Sequence, residues 1–320
     1  MKRIVALFFC LMMVLSCAAV AETAESHYTF GVSLFYRSDE FYVDIENMMK
    51  VTAENIGVEL IIQDANCDSS TQMRQFEDFI QMGVDAIVFS PCDPAACASA
   101  VQAANEAGIP VFTYDGTVQD TTGITSGMYS DFYADGYEAG TWAKNYIAEN
   151  LNGEANVAIL DYPASPIVCG ERANGFEDAV KELEGVTVVA RQDGKATRTG
   201  GMEVTENILT ANVNDLDVVF AIKYESGAGA AAAVQAAGID CAVVCVAWGK
   251  EALEKLSSND PYIKALLLGD PRDQAKILEV AKDYLDGKEI EAETQYSYYI
   301  VTSENLDEKI DGKSIIDMRG

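Results

Sequence analysis

Six side chains able to bind or catalyse recur at the same kind of place. Arg37, Ser90, Asp115, Lys223, Trp248 and Asp270 stand at or just beyond the carboxyl ends of short apolar segments, and a seventh, Arg172, opens a helical one. Carboxylates accept hydrogen bonds from hydroxyls, Arg and Lys donate them, and an aromatic face covers the C–H surface of a sugar. One charged residue at one strand end is usually a solvated loop residue. A set of them on both halves of the chain describes a polar cleft with an aromatic wall. Provision for catalysis is poor. His27 is the only histidine and stands at no strand end, and no G-x-S-x-G elbow, P-loop or H-E-x-x-H is present. With no CxxC either, no metal and no cofactor are expected.

One motif points elsewhere. Gly227-Ala-Gly229-Ala-Ala-Ala232 follows an apolar strand and opens a helix, which fits the dinucleotide fingerprint in spacing and context. That fingerprint needs an acidic residue at the end of the next strand for the ribose hydroxyls, and Trp248 stands there. The stretch reads instead as a small-residue helix packed close to a sheet.

The elements that must position these residues are α/β in type. From Phe76 to Gly116 a helix ends at Gly83, Ala86–Phe89 is a strand, a helix ends at Gly108, and Val111–Tyr114 is a strand. Short, continuously apolar strands suit a parallel sheet covered on both faces, and ligands of such sheets sit beyond the carboxyl ends. A helix closed by Gly and followed by Val or Ile recurs at Gly57, Gly83, Gly108, Gly185 and Gly238. Three of these precede residue 110 and two follow 180, so the spacing predicts two α/β halves. The loop Tyr36 to Glu40 follows the first strand (Phe30 to Phe35), and Asp39 within it is placed to cap a helix carrying Phe41, Ile45, Met49 and Ile56 inward. The segment 116–130 reads as connection with a short strand near Ile124. A capped amphipathic helix follows Pro271, then a short strand over Tyr298 to Val301.

The chain has 320 residues, 49% apolar, with a net charge of −29. This suffices for two cores and disfavours nucleic acid or an anionic membrane as partner. Lys2-Arg3, the apolar run Ile4 to Leu15 and Ala19-Val20-Ala21 predict a secretory signal peptide over 1–21. Val14-Leu15-Ser16-Cys17 offers a lipoprotein-type alternative, with Cys17 as the anchor. The chain is therefore expected to be exported, to the periplasm or the cell surface. Export permits disulfides. Cys241 and Cys245 lie on one strand, roughly 13 Å apart and too far to bridge, whereas Cys92 with Cys97, or either with Cys67, remain open.

Taken together, FGVSLF with EFYVDIENMM, VDAIVFSPCDPAACASAVQAANEAGIPVFTYDG, ERANGFEDAV and GDPRDQAKILEVAKDYLDGKEI are arranged as in a known family. From about Tyr28 to Val301 the chain resembles the periplasmic sugar-binding proteins of bacterial ABC importers, of the ribose/galactose type. The resemblance implies two doubly wound parallel-sheet lobes, three hinge crossings, a ligand enclosed between the lobes, and delivery to a membrane permease. It implies lobes of residues 26–130 with 271–297, and 131–270 with 298–320. It makes Phe41 and Tyr42 the aromatic pair around the sugar, Asp115 and Arg172 the groups that bind its hydroxyls from opposite lobes, and Asp270 a polar residue near the hinge. The departures are Ser90 for an Asn, Gly116 for an Arg, Lys223 for an Asn or Asp, and Trp248 for an Asp. Lys223 with Arg172 would allow an acidic sugar, although Lys223 has Asp115 or Glu225 as alternative partners. Folding is expected to survive loss of Asp115 or Arg172, both at a cleft edge. Against capture for transport stand a sensing module that presents its closed form to a receptor, and an exported α/β enzyme.

Overall fold

The structure, a computed structural model, describes residues 27–116, 118–211 and 215–310. The stretch expected as a signal peptide, 1–21, with the alternative anchor position Cys17, and residues 311–320 lie outside the described residues. Two six-stranded sheets carry the fold. The first contains β1 (Thr29–Leu34), β2 (Glu59–Asp64), β3 (Ala86–Phe89), β4 (Val111–Tyr114), β5 (Ser126–Tyr129) and β11 (Glu293–Gln295), in the order β11-β5-β4-β3-β1-β2. All its pairings are parallel. The second contains β6 (Glu154–Asp161), β7 (Gly185–Asp193), β8 (Val218–Ala221), β9 (Ala242–Ala247), β10 (Ile263–Leu268) and β12 (Tyr299–Val301), in the order β12-β10-β9-β8-β6-β7. Here only β12 runs antiparallel, against β10. The order 2-1-3-4-5 thus occurs twice. It places a topological switch point between β1 and β3 and another between β6 and β8, where ligands of such sheets bind.

The strands form as their composition dictates. β3, β4, β8 and β9 are buried at every residue, as central strands covered on both faces must be. Helices enclose them: α1 (Glu40–Ile56), α2 (Ser69–Met82), α3 (Ala98–Glu106), α4 (Phe132–Asn150), α5 (Glu171–Val180), α6 (Arg198–Ala211), α7 (Tyr224–Ala237), α8 (Lys250–Ser257), α9 (Pro271–Ala275), α10 (Ile277–Leu285) and α11 (Leu306–Ile310). Asp39, Asp68, Asp131 and Asp270 cap α1, α2, α4 and α9, each carboxylate accepting a first-turn backbone N–H. Gly57, Gly83 and Gly238 end their helices with left-handed φ near 70°.

Several elements depart from expectation. Gly185 closes no helix: α5 ends at Val180, and Gly185 opens β7 against the Gly153 carbonyl. The strand expected near Ile124 is β5, two residues later. α8, α11 and β11 were not anticipated: α8 is only eight residues long, although Ala252, Leu253 and Leu256 recur inward at helical spacing, and α11 and β11 are shorter still. The helix after Pro271 is broken at Lys276 into α9 and α10. The chain passes between the sheets three times: from β5 into α4, from β10 into α9, and from β11 into β12. α9 and α10 return to pack on α1, and α10 also lies against β3, β4 and β5.

Candidate ligand-binding site

β4 ends in Tyr114, and the next residue, Asp115, adopts a left-handed φ of 49°. Aspartate tolerates this conformation better than bulkier residues. The turn points its carboxylate off the sheet end, where two phenols donate to it. Tyr42 on α1 reaches Oδ2 at 2.6 Å, and Tyr296 from the last crossing reaches Oδ1 at 3.3 Å. Burial raises the Asp115 pKa, while the Tyr42 hydrogen bond and the charges of Arg172 and Lys223 pull it back. Arg172 and Lys223 belong to the second lobe, so the field at Asp115 spans both.

Arg172 reaches this place because α4 and α5 pack unusually close. A Cβ on Gly136 would lie 1.9 Å from the Arg172 carbonyl, and one on Gly175 would lie 2.0 Å from that of Tyr133. Only glycine at both positions permits the approach. It sets the Arg172 guanidinium 3.3 Å from Asp135 on α4, 4.1 Å over the Tyr298 ring and 5.1 Å from the Phe132 ring. Asp135, 3% exposed, also accepts from Ser130 Oγ at 2.7 Å and from the Tyr298 backbone N–H at 3.1 Å. One carboxylate therefore ties Arg172 to two of the three crossings. Arg172 is 5% exposed, and its Nε is buried with no partner. A buried donor in that state costs free energy until something accepts from it.

The rim joins the lobes directly. Trp248, after β9, donates its indole N–H to Asp44 on α1 at 2.6 Å and meets the Phe41 ring edge-on at 6.3 Å. Lys223 Nζ lies 3.8 Å from Asp39. Its charge is also felt at Asp115, while Glu225 is held by Arg198. Phe35, Tyr36 and Tyr42 continue the aromatic wall, with ring centroids 5.0–5.3 Å apart.

Asp39, Phe41, Tyr42, Asp115, Arg172, Lys223 and Trp248 are thus brought together. Two of the expected residues, Arg37 and Asp270, are engaged elsewhere. Arg37 makes a two-pronged pair with Glu46 at 2.6 and 3.0 Å beside Lys50, Val58 and Leu60. Asp270 caps α9 and is gripped by Arg272. The recess that Asp270 shares with Trp248 and Asp44 is about 20 Å³, room for a water and too small for a sugar. Ser90 stays at the same sheet end, with its hydroxyl beside Gly116, but is 2% exposed, and its carbonyl accepts from Gln72. Four contributors have no strand-end signal: Asp135, Gln274, Tyr296 and Tyr298. Gln274 is fully buried beside Tyr296, and neither of its amide atoms has a full hydrogen bond. The alternation Tyr296-Ser-Tyr298 ahead of β12 was the one available hint. The dinucleotide-like glycines serve packing: Gly229 abuts the Arg198 carbonyl of α6, and Gly227 the Cys245 side chain of β9.

Residues 30–289 match the family model described as periplasmic binding protein domain. The chain belongs to that family. The ribose import binding protein of Bacillus subtilis strain 168 is 31% identical over 268 residues, 83% of this chain and 85% of that protein. A putative rhizopine-binding protein of Rhizobium meliloti is 26% identical over 301 residues, 92% and 96% of the two chains. Among solved structures, an ABC transporter solute binding protein from Bacillus halodurans with bound myo-inositol superposes with a TM-score of 0.76 at 29% identity, over 90% of this chain and 99% of its own. One from Actinobacillus succinogenes with bound D-allose gives 0.78 at 25%, over 88% and 99%. This periplasmic binding protein shares with both the two-lobed architecture.

Proposed function

We propose that this periplasmic binding protein captures a monosaccharide or related small polyol between its lobes and delivers it to an ABC permease, with no chemistry on the ligand. The carrying observation is Asp115: a half-buried carboxylate of the first lobe, held by two phenols and within the field of the cations of the second. The relatives that carry ribose, myo-inositol and D-allose in their names support a hydroxylated ligand. Asp115 accepts from ligand hydroxyls, Arg172 Nε donates to them, and Phe41, Tyr42 and Trp248 cover the apolar face. Arg172 is already countered by Asp135 and Lys223 by Asp39. The buried Arg172–Asp135 pair leaves that cation already countered, which favours a neutral ligand over an acidic sugar.

The lobes of this reading are residues 26–130 with 271–297, and 131–270 with 298–320, hinged at the three crossings. Ligand draws them together. The protein acts outside the cytoplasm, either free after cleavage following Ala21 or anchored through Cys17. A thermal-shift screen of neutral pentoses, hexoses, inositols and alditols tests the assignment. A ligand at about 100 times its dissociation constant adds ~2.7 kcal/mol of stability. Stabilisation by sugar acids alone would overturn the neutral-ligand assignment, and no response to any of these compounds would overturn the reading itself.

A further inference from the structure

Two cysteines the proposed function does not use lie at the same end of the first sheet. β1 sits between β2 and β3, with Leu34 opposite Asp64 and Ser33 opposite Phe89. The loops leaving β2 and β3 therefore flank β1 and converge on the residue after it, Phe35. Its carbonyl accepts from the Cys67 N–H at 2.7 Å and lies 3.9 Å from Cys92 Sγ. The Cys67 N–H also faces the Cys92 sulfur. We propose that Cys67 and Cys92 are a disulfide-forming pair that staples these two loops beneath the aromatic wall of the cleft.

Both loops are held by their own hydrogen bonds. Asn66 and Cys67 adopt left-handed φ of 51° and 56°, and the Asp64 carboxylate accepts from the Asn66 N–H at 2.8 Å. Cys92 N donates to Gln72 Oε1 at 2.9 Å, while Gln72 Nε2 donates to the Ser90 carbonyl at 2.9 Å. The competing partner is poorly placed: Cys97 is buried at the start of α3, with its sulfur 3.5 Å from the Pro94 carbonyl. Cys67 is exposed and Cys92 half-buried, which gives them different parts in the reaction.

The oxidant is a small disulfide such as oxidised glutathione. The Cys67 thiolate attacks one of its sulfurs and expels one glutathione thiolate, leaving a mixed disulfide on Cys67. The Cys92 thiolate then attacks the Cys67 sulfur and expels the second. Two protons and two electrons leave the pair, and one glutathione disulfide becomes two thiols. Burial, with Cys67, Asp68 and Asp64 nearby, pushes the Cys92 thiol up to about 12, so the second step is slow at neutral pH. Once formed, the bond fixes Phe35 and Tyr36, whose rings pack on Tyr42, the phenol that holds Asp115.

The test uses the full chain, incubated with oxidised glutathione at a pH of about 8.5, alkylated and cut with trypsin without reduction. The expected product joins the peptide 51–74 to the peptide 75–144, and reduction separates them. The linkage survives in Cys97→Ser and is lost in Cys67→Ser and Cys92→Ser. Oxidation raises the thermal midpoint of wild type and Cys97→Ser and leaves the other two unmoved. Alkylation of both Cys67 and Cys92 after oxidation, or a linkage that persists in Cys92→Ser, would overturn the proposal. Neither readout needs a ligand, so the result is independent of the sugar assignment.

Discussion

Asp115 and Arg172 were both legible as strand-end and helix-start residues, yet their surroundings give them different behaviour. Asp115→Asn keeps the shape and removes the charge. Hydrogen bonds to charged groups contribute about 1.5–3 kcal/mol, so calorimetry should find the ligand bound more weakly by that amount with folding intact. The raised pKa of Asp115 fixes the sign of a pH effect. Ligand hydroxyls donate to the ionised form, so affinity falls as pH drops through a value above the ordinary aspartate range. The contribution to folding runs the other way: ionised and partly desolvated, Asp115 costs stability at neutral pH, and the cost is relieved as pH falls through its folded pKa. Titrations across this range should show the affinity loss in wild type and none in Asp115→Asn. Arg172→Ala departs from the expectation that both losses leave folding intact. The residue is buried against Asp135, not at an edge, and its removal strands a buried carboxylate. A loss of about 3–5 kcal/mol is expected in denaturant unfolding. Arg37 and Asp270 show what sequence hides at this scale. Their positions beyond strand ends were right, but the nearest counter-charges, Glu46 and Arg272, decide where the side chains point.

At the scale of elements, the site depends on how closely α4 and α5 approach. Gly175→Ala puts a methyl 2.0 Å from the Tyr133 carbonyl. The helices must separate, which carries Arg172 away from Asp135. Overpacking of this kind costs about 1–3 kcal/mol, and ligand affinity should fall with the melting midpoint. A variant that melts and binds like wild type would show that the close approach does not position Arg172. The central strands were readable because continuous apolar runs between glycine turns admit few other conformations: β3 and β4 occupy the residues expected of them. β11 and α11 were not, being three and five residues long and stabilised by distant partners, as when β11 pairs with β5. Asp135, buried in the first turn of α4, gave no sign that its partners come from Ser130, Arg172 and Tyr298.

For the whole molecule, the repeated Gly-Val/Ile junctions announced two lobes, and both sheets repeat one strand order. How the lobes face each other was not readable, because the joining contacts pair residues about 200 positions apart, as with Asp44 and Trp248. Those contacts supply an optical signal. Closure buries Trp248 against Phe41 and Asp44, whereas Trp142 stacks on Tyr146, 5.3 Å between ring centroids, away from the rim. Ligand should change the intrinsic fluorescence of wild type and Trp142→Phe, and Trp248→Phe should lose most of that change. Full signal and unchanged affinity in Trp248→Phe would remove the indole from the closing surface. Capture by closure is tested most directly by small-angle X-ray scattering, with and without a saturating amount of the sugar or polyol that raises the melting midpoint most. The lobes should approach, and the radius of gyration should fall on ligand addition and recover on dialysis. A radius of gyration unchanged at saturation would contradict closure around the ligand.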